Sequence, residues 1–317
     1  MPLCPHPCTP HARPCPATPP CTQLPDIEAE CAHYAAHFAG KTIYCNCDDP
    51  RVSQFWHYFS HNFAHFGLRR LIATCYKSRN PDMFTRLDSE RAIMLDYTGF
   101  RAGDVVPRPD DIGLRLLDGD GDFRSPECID LLRQADVIVT NPPFSLFREY
   151  LAQLVEHNKK FLIIGNLNAL TYKEVFPLIR DNRVWLGFTG VRARSYGRPD
   201  GTDQMFGNTC WFTNLPHRKR NEELILWKTY SPEEFPAYDN YDAIEVSKVA
   251  HIPADYLGAM GVPVTFLDKY NPEQFEILGM DRPLMLEKTG KVSRFFLNGK
   301  EIYARLLIRN RHLAPAG

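Results

Sequence analysis

Asn141-Pro142-Pro143-Phe144 sets a carboxamide, two ring-locked residues without an N–H and an aromatic face in immediate succession. That set suits an amino group carried on a flat ring. The Asn141 side-chain oxygen and the Pro142 carbonyl can accept its two hydrogens, and Phe144 can pack on the ring. Holding both N–H bonds draws the nitrogen out of conjugation and leaves its lone pair available to attack an electrophile. Because Asn-Pro also opens ordinary turns, a plain loop is the competing reading of the four residues alone.

The stretch before the tetrad determines how it is held. Val137, Ile138 and Val139 are β-branched in succession and read as a strand buried on both faces, which the two prolines forbid to continue. Their fixed φ stiffens the turn. The carboxamide then projects beyond the strand's carboxyl end, the edge at which open α/β sheets bind ligands. In this setting the tetrad resembles the Asn/Asp-Pro-Pro-aromatic signature of amino-group methyltransferases.

Upstream, Lys41 to Cys47 predicts a strand that ends in Asp48-Asp49-Pro50. Ser53 is a suitable N-cap for a helix carrying Phe55, Trp56, Phe59, Phe63 and Phe66, with Gly67 as its stop, and Leu71 to Tyr76 predicts a second strand. Together they make one right-handed βαβ unit whose aromatic stripe reads as core. The turn Cys47-Asp48-Asp49-Pro50 falls where a doubly wound fold places its first ligand loop. It has no glycine, so a dinucleotide GxGxxG reading fails. A carboxylate there suits a cation: Asp48 or Asp49 could hold the ammonium of S-adenosylmethionine, the competing reading being helix capping by Asp49.

Arg91 to Tyr97 predicts a further strand, and Gly99 to Gly113 a Pro/Asp-rich loop. Asp118-Gly119-Asp120-Gly121-Asp122-Phe123 predicts a close backbone turn before a helix opened by Ser125 and Glu127. In it Asp122 could accept from an adenine amino group while Phe123 packs on that ring, whereas a calcium loop would need more length and a terminal Glu. A helix from Phe147 to Val155 and a strand from Phe161 to Asn166 continue an alternation that predicts an open, largely parallel sheet.

A chain of 317 residues can bury one large α/β core plus a smaller appendage. The 37 Lys and Arg against 38 Asp and Glu leave a formal charge of −1, so any basic surface for nucleic acid must be local. No segment approaches a membrane span. Residues 1–25, with recurrent Pro, Cys4, Cys8, Cys15, Cys21, His6 and His11, predict a disordered tail. Its Cys/His spacing matches no regular zinc pairing, and no metal is expected. Without an export signal's basic start and apolar run, and with its other cysteines scattered, the chain reads as cytoplasmic.

Residues 26–180 read as a catalytic core, and 181–317, with shorter β-like runs at 184–188 and 209–212, as remaining core strands plus a target-recognition region. Basic residues gather there. Arg192, Arg194 and Arg198 stand in one window with Arg180, Arg183 and Arg218-Lys219-Arg220, and Lys300 and Arg305 in another that starts at Lys288. A solvated charged face is the usual meaning of such windows; beside a site for a base, both become candidates for phosphate contact. Leu297-Asn298-Gly299-Lys300 predicts a hairpin turn.

With these stretches assembled, the chain resembles the EcoRI-type adenine-specific DNA methyltransferases. The resemblance rests on Tyr44 to Pro50, Gly119 to Ser125, Asn141 to Phe147, Cys210 to Leu215, Tyr238 to Ile244, Met260 to Leu267 and Tyr270 to Phe275, and leaves the tail before Gln23 outside. It implies a Rossmann-like S-adenosylmethionine-dependent fold with a β-rich carboxyl-terminal target-recognition region. It also implies methyl transfer to the N6 amino group of adenine in duplex DNA, by base flipping, with Asn141, Pro142, Pro143 and Phe144 as the catalytic set. Cys47, Asp48, Asp49, Pro50, Asp122 and Phe123 then fall to the cofactor, and a cognate restriction endonuclease, or none, would accompany the enzyme. The chain departs from methyltransferases at large in lacking the FxGxG loop and in ending its second strand in Thr74-Cys75-Tyr76, without the acid that commonly binds ribose. The alternatives are a methyltransferase for cytosine N4, RNA or a protein glutamine, and a DNA-binding module without catalysis.

Overall fold

The computed structural model describes residues 21–47, 49–76, 92–99, 112–197 and 203–312. Residues 1–20 of the expected tail, Asp48, residues 100–111 of the Pro/Asp-rich loop and Arg198 lie outside the described residues. The end of the expected tail takes a defined form. Cys21–Thr22 is a short strand (β1) with Thr22 buried, and a helix runs Leu24–Cys31 with Pro25 in its first turn, where the missing N–H is no loss. The chain divides into two compact units, Met1–Pro143 with Ala193–Gly207, and Phe144–Arg192 with Asn208–Gly317.

In the first unit the strands β2 (Thr42–Asn46), β3 (Arg70–Thr74), β4 (Ile93–Tyr97), β5 (Arg115–Leu116) and β6 (Val137–Thr140) pair in the order β6-β2-β3-β4-β5. β6, β2 and β3 pair in parallel, whereas β4 pairs antiparallel with both β3 and β5, so the expectation of a largely parallel sheet gives way to a mixed one. Alternation of apolar runs does not encode strand direction, and an antiparallel neighbour needs no crossover helix. The connection from β2 to β3 is helical, as its spacing predicts, but in two pieces, Gln54–His61 and Phe63–Phe66. Ser53 caps the first piece by accepting from Trp56 N (3.4 Å). At the break, Asn62 turns its side-chain amide back onto the Tyr58 carbonyl (2.9 Å), and Gly67 ends the run at φ 59°. Phe55, Phe59, Phe63 and Phe66 are buried, and Phe59 meets Phe38 edge-on, so the stripe is core.

Register at β6 is fixed by Asp136. Its carboxylate accepts from Thr42 N and from Arg69 Nη2, both at 2.8 Å, which pins the start of β6 to the start of β2. Before β6, a helix over Pro126–Gln134 is capped by Ser125, whose hydroxyl accepts from Cys128 N (3.2 Å), as its sequence predicts. Strand β9 (Arg192–Gly197) is antiparallel to β1, pairing Tyr196 with Thr22.

Early in the second unit come a helix over Phe147–Glu156 and strand β7 (Lys160–Asn166). The last residues of β10 (Asp203–Thr213) pair antiparallel with β7 and with β8 (Trp185–Leu186). Gly165 of β7 lies so close to Phe147 that a Cβ would stand 2.5 Å from the ring. A second sheet follows, β11 (Ile244–Glu245), β12 (Met260–Pro263), β16 (Arg305–Asn310) and β13 (Phe275–Met280) in that spatial order. The hairpin β14 (Phe296–Leu297) and β15 (Lys300–Glu301) turns through Asn298 at φ 51° and Gly299 at φ 74°, the left-handed pair that a tight hairpin needs and that Asn-Gly predicts. No helix among the described residues is long and apolar enough to cross a membrane.

Candidate active site

The carboxyl ends of three parallel strands build the site. All four residues of β6 are buried, so the strand delivers Asn141 from a dry interior to the sheet edge. Pairing of Ile43 with Val137 and Tyr44 with Ile138 brings the end of β2 alongside, and the Thr140 hydroxyl donates to the Asn46 carbonyl. That one bond ties the residue before the tetrad to the residue before Cys47. On the other side of β2, Asn46 pairs with Thr74 of β3, where the Tyr44 phenol and the Thr74 hydroxyl meet at 2.8 Å. Burial holds the Tyr44 phenol well above its ordinary range, so the floor of the edge carries no charge there.

The Asp-Gly turn arrives at the same edge through a close backbone approach. Gly121 has φ 74°, and a Cβ on it would overlap the Cys75 carbonyl oxygen at the end of β3. Only glycine meets both conditions. The structure therefore gathers Cys47, Asp49, Pro50, Asp122, Phe123, Asn141, Pro142 and Pro143 in the first unit, while Phe144 opens the short helical turn Phe144–Leu146 that begins the second.

Asn141 is 7% exposed, and its Oδ1 accepts from no described residue. A buried acceptor left so is destabilising by about 1–3 kcal/mol, which marks it as a group kept for a partner from outside. Pro142 is buried beside it; Pro143 and Phe144 are half-buried. At the turn after β2, Cys47 takes φ 84°, a left-handed conformation that glycine usually supplies. The sharp turn is thus made without the glycine whose absence the sequence displays.

Two carboxylates expected at the cofactor turn out to be clamped in one and the same way. Asp49 Oδ1 accepts from the backbone N and the Nε of Arg51, both at 2.9 Å, and Nη2 of Arg51 closes onto Oδ2. Asp122 Oδ1 accepts from the backbone N (2.8 Å) and Nε (2.9 Å) of Arg124, with Nη2 at 2.7 Å from Oδ2. Helix capping, the competing reading of Asp49, is done by Ser53 instead. The Arg124 bonds hold the Asp122 carboxyl below its ordinary range, so it stays ionised as an acceptor. Phe123 is largely buried with the Arg124 guanidinium 5.2 Å from its ring centre. Arg51, Arg124 and Thr140 were not foreseen; the repeated Asp-x-Arg spacing was the legible signal for the first two. Asp120 and Glu127 spend their carboxylates on backbone N–H groups of Asp122, Asp118 and Gly119.

Four of the residues expected to contact DNA are described. Arg192 and Arg194 lie on β9, and Lys300 is exposed on the hairpin. Arg305 is not a free cation: its Nη2 lies 2.6 Å from Glu245 Oε1 and its Nε 3.0 Å from Oε2, and the Tyr238 hydroxyl also donates to Glu245. Both charged side chains are nearly buried, so the pair ties β11 to β16.

A buried acceptor that no described residue satisfies thus stands at the carboxyl edge of parallel strands in a mixed α/β fold, an arrangement able to receive an amino group. The chain matches the model of the family described as adenine-specific methyltransferase EcoRI over residues 20–311, and it belongs to that family. It is 45% identical over 310 residues to the Type II methyltransferase M.EcoRI of Escherichia coli, covering 92% of this chain and 93% of that protein. It is 34% identical to the Type II methyltransferase M.MpnI of Mycoplasma pneumoniae (92% and 94% covered) and 33% to M.MgeORF184P of Mycoplasma genitalium (92% and 95%). No solved structure matches it.

Proposed function

We propose that this methyltransferase flips adenine out of a duplex DNA site and methylates its N6 nitrogen. The carrying observation is the buried Asn141 Oδ1 at the carboxyl end of β6, to which no described residue donates, since an N6 amino group is the donor that would complete it. Asn141 and Pro142 accept the two amino hydrogens, Pro143 stiffens the turn, and Phe144 packs on the flipped base. The nucleophile is the amino lone pair, so these residues act chiefly by positioning.

The residues present fit S-adenosylmethionine, which when bound supplies an electrophilic sulfonium methyl. The glycine-only approach at Gly121 leaves a turn that a planar ring can pack against, with ionised Asp122 as acceptor and Phe123 as apolar wall. Cys47, Asp48, Asp49 and Pro50 serve its amino-acid end. Because Arg51 already neutralises Asp49, the ammonium gains less from that carboxylate than a bare one would give. The parallel β6, β2 and β3 support a Rossmann-like core, and the β-rich second unit supports target recognition there. Arg192, Arg194, Arg198 and Lys300 are assigned to phosphates; Arg305 joins them only by leaving Glu245. The enzyme works in the cytoplasm as a modification methylase, with a cognate restriction endonuclease or without one.

The test is expression in cells free of adenine methylation, followed by sequencing that reports N6-methyladenine. A single modified motif that disappears in Asn141→Ala is the expected result. Unmodified DNA in the presence of folded protein would overturn the reading and favour an RNA or protein acceptor.

A further inference from the structure

Among the described residues of the second unit, Arg220 is a partly buried cation for which no ion pair is formed. Arg218, Lys219 and Arg220 follow one another on a short helical turn, Arg218–Asn221. Lys219 is accounted for: its Nζ lies 2.8 Å from Asp268 Oδ1 and donates to the Phe188 carbonyl at 3.2 Å. Arg218 is exposed, with its guanidinium 5.1 Å from the Phe188 ring centre.

Arg220 differs from both. Its guanidinium lies 4.3 Å from the Trp185 ring centre and 5.5 Å from that of Tyr270. Trp185 is itself fixed, since its indole N–H donates to the Leu215 carbonyl at 3.1 Å. The Nη2 of Arg220 is shut off from solvent yet donates to no described residue. Among the described residues lining the same pocket, the acid is Asp268, which already holds Lys219. Burial lowers the Arg220 pKa to about 10, which still leaves it charged at neutral pH. Arg220 as a whole is half-buried, so its charge, which no described carboxylate pairs, is partly desolvated yet still within reach of an arriving anion. Two aromatic faces orient the planar fork, and a fixed fork matches the paired oxygens of a phosphate.

We infer that Arg220, framed by Trp185 and Tyr270, is a clasp for one backbone phosphate of the DNA substrate, with Lys219 and Arg218 flanking it. This rests on the reading above that the substrate is duplex DNA. A structural Arg220, serving only to hold the two rings apart, is the competing role, and the two differ in what removal does.

The test uses the full chain, its Arg220→Met variant and a fluorescently labelled duplex carrying the methylated motif, with affinity followed by anisotropy across a salt series. For a clasp, the Met variant binds roughly ten-fold or more weakly. Its plot of log affinity against log salt becomes shallower by about 0.9, the share of one phosphate contact. Its melting temperature is unchanged or higher, because a partly desolvated charge that no described carboxylate pairs has gone. Arg220→Gln keeps a planar amide between the rings and gives the same binding readout should the Met protein not fold. Variants that bind with the parent's affinity and salt slope overturn the clasp alone. A parent that neither binds nor methylates duplex overturns the functional reading beneath it.

Discussion

Asn141→Ala has opposite consequences for stability and for catalysis, and both follow from one atom. The parent holds Asn141 Oδ1 buried with no partner among the described residues, a penalty of about 1–3 kcal/mol that truncation removes. Truncation also leaves a small void and forfeits packing worth roughly 1 kcal/mol. The two terms nearly cancel, so the variant should melt within about 2–4 °C of the parent. Catalysis does not share the cancellation. A preorganised hydrogen bond to a reacting group is worth about 2.7–4 kcal/mol, and its loss should lower turnover on DNA by roughly 10²–10³-fold. Transfer of a radiolabelled methyl group to duplex DNA measures the second effect, and calorimetric melting with cofactor titration the first. Unaltered turnover would refute the role given to the amide. A fall of more than about 3 kcal/mol in stability together with lost activity would refute the reasoning differently, by showing that Asn141 holds the fold.

Gly121→Ala should weaken cofactor binding and destabilise the first unit by about 1–3 kcal/mol, because the new methyl group meets the Cys75 carbonyl at a φ that side chains avoid; calorimetric titration and denaturant melts report both. The Asp122–Arg124 pair should be sensitive to acid. Arg124 depresses the Asp122 pKa, so the stability it lends is present above the unfolded value of about 3.9 and is lost as pH falls through the lower folded value. The difference between parent and Arg124→Gln, read by urea unfolding, should therefore exist at pH 5 and shrink toward zero in stronger acid. Arg305→Met leaves Glu245 buried without its cation and should destabilise the protein by about 3–5 kcal/mol in urea. Full stability with weakened DNA binding would instead place Arg305 on a phosphate.

The tetrad and its strand were legible because each signal was local: β-branched residues at 137–139 call for a buried strand, and consecutive prolines end it. Ser53, Ser125, Gly67 and Asn298-Gly299 were equally local, since a cap or a tight turn is decided within a few residues. Only the tertiary structure could decide partners distant in the chain. Thr140 against Asn46, Gly121 against Cys75, and Arg305 against Glu245 depend on which strands lie side by side and in which direction. The reversed course of β4 between β3 and β5 is of the same kind. Charge was the least legible property of all. Composition counts Arg220 and Arg305 as equals, yet Arg305 is paired with a buried carboxylate while Arg220 rests on aromatic rings with an N–H that no described residue accepts, because burial and not residue type sets what a charge must find.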